Sequence, residues 1–345
     1  MRFTWYRMLV PLRAVDKLCD DVTVHFRAGG PRLMKQLDPP LIVHEANSAD
    51  VVVAQRANSI EGMGAWRRMA TPTCRTVYEN DDDIWNITYE NKAAYDSYAE
   101  GGEAREVVLR LIATSNMTTV SSPWLGDQVR ELTNNMIPTV VLPNYVPEYV
   151  LDMKHDDRKG RLRLGWMGGA SHARDIHTAI PAVRRFMKRF PSWDLVINGT
   201  DYRADFRCPP ERSYHVPWLH VCDEPELFYR MIDFDIGICP LLDTKFARSK
   251  SHIKALEYMA RGIPVVASDV EPYRRFIDHG VNGFLCKHDH EWLRYLSELA
   301  GSTDLRLKMG EAAKAKAREH TIEGHYMEWV NAYKMLFPSG WEFKG

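Results

Sequence analysis

The chain has no run of about 18 apolar residues, the least a membrane-crossing helix requires, and no C-x-x-C pair among its six cysteines. Its N-terminus, MRFTWYRMLVPLRAV, carries arginine early but lacks a long apolar core and a small-residue cleavage site. A secretory leader is therefore not expected, and neither is a transmembrane segment. Cys19, Cys74, Cys208, Cys222, Cys239 and Cys286 are scattered, and Cys239 and Cys286 fall inside apolar strand patterns. They read as buried thiols in a reducing compartment without a zinc framework, so a cytoplasmic location is expected. Excess charge of either sign is also missing. Lys and Arg number 45 against 46 Asp and Glu, a formal net charge of −1, so no global field calls for nucleic acid or an anionic membrane. Acidic residues outnumber basic ones before Val150. The basic cluster Arg56, Arg67, Arg68 and Arg75 around Trp66 thus reads better as part of a mixed surface than as a nucleic-acid face. Internal repeats and low-complexity tracts are absent.

What is present is ordinary globular material. At 345 residues with 45% apolar and 26% charged positions, the chain can build two α/β domains, each with its own core. The 10 Trp and 15 Tyr are many for this length. Core packing accounts for most aromatics in most proteins, and stacking on carbohydrate or base is the functional use. Short apolar runs alternate with amphipathic stretches throughout. In the first half MRFTW, DVTVHFRA (residues 21–28), LIVHEA, ADVVVAQRA, CRTVYEN, MTTVSS and TVVLPNYV read as strands. Helices are expected over residues 7–20 and 102–112, and after Ser122 as N-cap with Pro123 in the first turn. A polar charged run after Val150 marks a linker over residues 151–160. RLRLGWMGG then opens a second domain, with DLVINGT, YHVPW, DIGICPL, PVVAS and GFLC as further strands. The expected division is 1–150, 161–325, and a C-terminal helix and tail over 326–345 that returns to the first domain.

The most informative stretch is Asp235 to Ser268. Two buried parallel strands, DIGICPL and PVVAS, enclose a loop rich in Lys, Arg and Ser and a helix that stops at Gly262. Ser251 is the expected N-cap. Lys250, Lys254 and Glu257 are spaced i, i+4, i+7, which places them on one face if the helix starts at Lys250. Two ammonium groups beside a helix N-terminus suit a diphosphate, and a carboxylate one turn further suits ribose hydroxyls. The same spacing also decorates solvated helix faces. Gly168 and Gly169, at the end of the second domain's first strand, allow backbone N–H groups to approach phosphate, or simply make a tight turn. Asp81, Asp82 and Asp83 follow a strand and contain a D-x-D; such a pair can hold a divalent ion on a diphosphate, serve an acceptor hydroxyl, or only decorate a helix N-terminus.

The run KSxxKxLEYMAxGxPVVAS (residues 250–268) resembles the nucleotide-sugar-binding element of family 4 glycosyltransferases. The string WMGGASHARDI resembles the matching glycine loop, and VYENDDDIW resembles a first-domain segment of related proteins. The resemblance is strong from about Arg161 to Leu285 and weaker before. It implies an α/β GT-B fold, with two Rossmann-like domains facing each other across a cleft. It implies retaining transfer of a sugar from a UDP- or GDP-sugar to an acceptor hydroxyl, with no cofactor and no metal required. Lys250 and Lys254 would neutralise the diphosphate, Glu257 would orient the ribose, and Gly168, Gly169, Ser171 and His172 would face the phosphates. Glu271, Pro272 and Tyr273 would close the donor site. In the family a first Glu contacts the donor sugar; here that position is Ser249, next to the Lys250–Ser251 pair, as in a phage-like branch. Asp81 and Asp83 would be catalytic, one of them taking the acceptor hydroxyl's proton or binding its hydroxyls, and Asp82, Trp85, the turn at Gly29 and Gly30, and Asn144 with Tyr145 would lie on the acceptor side. The acceptor itself is open: a glycan, a protein or hydroxymethylated DNA. Two alternatives accompany this reading, a DNA-modifying transferase and a non-catalytic nucleotide-sugar-binding protein.

Overall fold

The computed structural model describes residues 4–25, 49–55, 57–60, 63, 64, 66, 74–87, 89, 92–155 and 160–339. In chain order, a π-helical turn (Trp5–Leu9) runs into helix α1 (Val10–Leu18). Strands β1 (Val51–Gln55) and β2 (Arg75–Asn80) follow, then α2 (Glu103–Thr114), β3 (Met117–Val120), α3 (Pro123–Leu132) and β4 (Thr139–Val141). The second half brings β5 (Leu162–Gly168), α4 (Ala173–Arg189), β6 (Trp193–Gly199), β7 (Ser213–Pro217) and β8 (Ile236–Cys239). It continues with α5 (Ile253–Ala260), β9 (Val265–Ser268), β10 (Gly283–Cys286), α6 (Asp289–Gly301), α7 (Thr303–Arg318) and α8 (Met327–Lys334).

The chain divides into two compact units. The first takes the residues up to Asn144, the tripeptide Ser249–Ser251, and the residues from Ile322 on; the second takes Tyr145–Arg248 and His252–Thr321. Each holds one parallel sheet. In the first unit the order is β1-β2-β3-β4, and its core gathers Tyr78, Val107, Leu111, Val120, Leu125 and Val129. Ser122 caps α3, its hydroxyl accepting from Leu125 N at 3.3 Å, with Pro123 behind it, as the sequence indicates. The C-terminal helix region belongs to this unit, where the Tyr326 hydroxyl donates to the Leu18 carbonyl at 3.2 Å.

In the second unit the strand order is β10-β9-β8-β5-β6-β7, all parallel. The chain builds outward from β5 to β7, then returns to place β8 on β5's other side. That reversal is a topological switch point, where helices leave the sheet on opposite faces and a crevice opens at the strands' carboxyl ends. Two glycines set the spacing there. Gly165 and Gly237 are register partners on β5 and β8. A Cβ on Gly165 would lie 2.0 Å from the Phe234 ring, and one on Gly237 would lie 2.4 Å from Tyr258. Phe234 and Tyr258 themselves meet edge to face, so the missing side chains let α5 settle on the sheet.

Several sequence expectations change. MRFTW is not a strand: the described residues from Thr4 are helical. The reason is a helix face that buries Trp5, Tyr6 and Leu9, together with Arg7, whose charge is met by Glu79. Residues 22–25 of the expected strand 21–28 are not in a strand; Asp16 Oδ1 accepts from Val24 N instead. The rest of that strand, LIVHEA, Gly29, Gly30, Arg56, Arg67 and Arg68 lie outside the described residues. None of the six cysteines is in a disulfide. Among the described residues no helix is long and apolar enough to cross a membrane.

The glycine pair yields a direct test. Gly237→Ala should lower stability by about 1–3 kcal/mol through overpacking, whereas Gly169→Ala, with nothing within 4 Å of an added Cβ, should stay within about 0.5 kcal/mol. Urea unfolding of both variants checks this.

Candidate functional site

In the second unit the site residues gather at the carboxyl ends of β5 and β8. Beyond Gly168 the chain passes through Gly169 and a short 3-10 turn (Ala170–His172) into α4. The two glycines do different things. A Cβ on Gly168 would strike the Trp166 ring at 2.4 Å, so Gly168 is required by its own strand's packing; Gly169 faces open space. Of the two, only Gly169 offers bare backbone beside the first turn of a 17-residue helix, where the helix dipole favours an anion.

Asp175, in that first turn, ties the site together. Its Oδ1 accepts from Leu242 N at 3.0 Å, joining α4 to the loop after β8, and its Oδ2 lies 2.8 Å from His172 Nδ1. Burial alone would raise its pKa. The His172 contact, the Leu242 amide and the Lys254 charge outweigh that and hold it below the ordinary value. His172 thus pairs with Asp175 and does not cap α4 through its side chain. Lys254 is buried on α5, its ammonium 5.2 Å from the centre of the Trp166 ring. Glu257, one turn on, is fully buried. The neighbouring Tyr258 fixes the helix to the sheet, its hydroxyl oxygen accepting from Met167 N at 2.8 Å. Ser268, at the end of β9, accepts from Leu241 N at 2.9 Å. Glu271, Pro272 and Tyr273 form a single helical turn after β9, with Glu271 paired to Arg275 and Tyr273 buried. Ser171 is exposed.

Helix α5 begins at Ile253, with His252 rather than Ser251 at the N-cap position. Lys250 therefore does not share a helix face with Lys254 and Glu257. The cause is long-range: residues 249–251 are engaged inside the first unit. There Ser122 Oγ donates to the Ser249 carbonyl at 2.5 Å and Asn144 Nδ2 donates to Ser251 Oγ at 2.8 Å. Lys250 Nζ lies 3.8 Å from Asp82 Oδ1. Asp81 and Asp83 are buried after β2. Asp83 Oδ2 accepts from Asn86 at 2.8 Å, and burial raises its pKa against that bond. Trp85 rests against the core. Among the described residues no three His, Cys, Asp or Glu side chains converge on a metal position.

Sequence reasoning missed Trp166, Asp175, Arg7 and Glu79. Asp175 had a signal, an acidic residue in the first turn of a helix that follows a glycine pair. Arg7 and Glu79 had none: they meet across 72 positions, with Arg7 Nε 2.6 Å from Glu79 Oε1 and Nη2 2.9 Å from Oε2.

An open parallel sheet with a topological switch point between β5 and β8 defines a class: a Rossmann-like α/β unit. Residues 161–301 match the family model described as glycosyl transferases group 1, a family of transferase enzymes. No curated protein matches the sequence. Solved structures share the fold at low identity. A glycosyltransferase from Rickettsia africae ESF-5 aligns with a TM-score of 0.60 and 12% identity over 95% of this chain and 88% of its own. HepE of Anabaena, in complex with UDP and glucose, aligns at 0.58 and 15% over 82% of this chain and 78% of its own. TarM aligns at 0.58 and 13% over 82% of this chain; the chain spans 54% of TarM's length. The fold is thus α/β with two parallel sheets, that of GT-B glycosyltransferases.

Asp175→Asn tests the stitch at the switch point. A carboxylate held below its ordinary value stabilises the fold above its unfolded pKa, near 3.8, and loses that contribution as pH falls through the folded value. The substitution should cost about 1–3 kcal/mol at pH 7, the worth of hydrogen bonds to a charged group, and progressively less below pH ~4. Urea titrations at the two pH values check the difference.

Proposed function

We propose that the chain is a retaining glycosyltransferase that moves a sugar from a nucleoside-diphosphate sugar to an acceptor hydroxyl. The observation that carries this reading is the meeting of Gly169, the first turn of α4 and buried Lys254 at the carboxyl ends of β5 and β8. In the reaction the bond between the anomeric carbon and the donor phosphate oxygen breaks, and one forms to the acceptor oxygen on the same face. Negative charge grows on the leaving diphosphate. The Lys254 ammonium and the α4 amides oppose that charge in a site where water is scarce, so their effect is larger than in bulk solvent. Lys250 adds a second cation. Glu257 orients the ribose, and His172, held by Asp175, sits beside the phosphates. The departing phosphate takes the acceptor's proton, so no covalent enzyme intermediate is needed. The lysines and the helix N-terminus supply the positive charge a metal would otherwise bring. The UDP and sugar complexes of TarM and HepE support a nucleotide sugar as donor. A cytoplasmic location fits six cysteines outside any disulfide. The acceptor is a glycan, a protein or hydroxymethylated DNA, with Asp81, Asp82, Asp83 and Trp85 on its side of the chemistry.

A thermal-shift panel of UDP-, GDP-, ADP- and dTDP-sugars, with magnesium and with EDTA, tests the donor site. One nucleotide should raise the melting temperature equally in both conditions. Lys254→Ala should weaken its binding about tenfold, the worth of a charge-assisted contact. No shift with any donor, or a shift that requires magnesium and the aspartates, contradicts the reading. Product formed with retained anomeric configuration separates the enzyme from a binding protein.

A further inference from the structure

The tripeptide Ser249–Lys250–Ser251 is held on both sides of its lysine. Ser122 Oγ grips the Ser249 carbonyl at 2.5 Å, and Asn144 Nδ2 grips Ser251 Oγ at 2.8 Å. Ser122, Asn144 and Ser249 are all buried. The Asn144 amide cannot turn over. Arg7 Nη1 donates to Asn144 Oδ1 at 3.1 Å, and a guanidinium has no acceptor, so the amide oxygen must face Arg7 and the nitrogen must face Ser251. Arg7 is fixed in turn. Its fork engages both oxygens of Glu79, it donates to the Leu142 carbonyl, and Glu79 also accepts from Thr119. A chain of directed hydrogen bonds therefore runs from the ends of β2, β3 and β4 to the residue after Lys250.

We propose that Asn144, oriented by Arg7, is a positioning residue for Lys250. This rests on the reading of Lys250 as a diphosphate ligand. A lysine in an unrestrained loop loses much rotamer and backbone freedom when it binds phosphate. Fixing the backbone on both sides removes part of that cost before the ligand arrives, which is preorganisation in its simplest form. Its effect on Lys250 passes through the Ser251 hydroxyl.

The test is a double-mutant cycle read as nucleotide affinity on the full chain, by titration calorimetry with UDP or whichever nucleotide the panel identifies. Lys250→Ala should weaken binding about tenfold, the loss of one charge-assisted contact. Asn144→Ala should weaken it about fivefold, and the double variant should bind no worse than Lys250→Ala, because coupled residues are not additive. Ser251→Ala removes the same bond without disturbing Arg7 and should match Asn144→Ala, while Ser251→Thr, which keeps the hydroxyl, should restore affinity. If Asn144→Ala fails to fold, the Ser251 pair carries the same cycle. Additive losses in the double variant, or unchanged affinity in Ser251→Ala, overturn the proposal. So does a Lys250→Ala that binds normally while Lys254→Ala does not, and in that case the donor site stands. A wild-type chain that binds no nucleotide brings down the functional reading itself.

Discussion

The second unit depends on one carboxylate. Asp175 joins the first turn of α4 to the loop after β8, across the point where the sheet's direction of growth reverses. That stitch ties together two loops from opposite sides of the switch point, beside the Leu241–Ser268 bond that holds the loop after β8 to β9. With it, the N-terminus of α4 and the bare backbone of Gly169 keep a fixed place relative to Lys254. The carboxylate is also a negative charge in the first turn of α4. The 2.8 Å His172 contact and the nearby Lys254 charge favour its ionised form against the cost of burial.

Buried charge organises the first unit in a different way. Arg7 and Glu79 are almost fully removed from water, a costly arrangement unless every donor and acceptor is used. Here most are used, by Leu142, Asn144 and Thr119 as well as by each other. Removing either charge would strand the other. The network draws together the N-terminal helix and the ends of three strands, and the first unit's polar side chains at that end are oriented by it.

Much of this was legible in the sequence. The apolar runs VVVAQ, RTVYEN, MTTV, LRLGWMG, WDLVING, IGIC and VVAS are all strands, because uninterrupted β-branched and apolar residues suit parallel sheets buried on both faces. Ser122 before Pro123 named its helix start outright. The N-terminus was misread because Thr4, Trp5 and Tyr6 favour strands locally, while the helix gains its stability from a partner, Glu79, that local pattern cannot reveal. The start of α5 was misread for a related reason. Ser251 has the chemistry of an N-cap, but its hydroxyl is claimed by Asn144 from 107 positions away. Gly168 has a packing reason that pattern does not show, since its missing side chain accommodates Trp166. Residues that act through long-range polar bonds were the ones pattern could not place.

A nucleoside diphosphate is proposed to bind the second unit at the carboxyl ends of β5 and β8. Hydrogen–deuterium exchange on the full chain, with and without saturating nucleotide, locates it directly. The account requires slowed exchange at the amides from Gly169 through the first turn of α4 and at the start of α5. Protection confined to the residues around Asp81, Asp82 and Asp83, with those two segments exchanging as before, would contradict it.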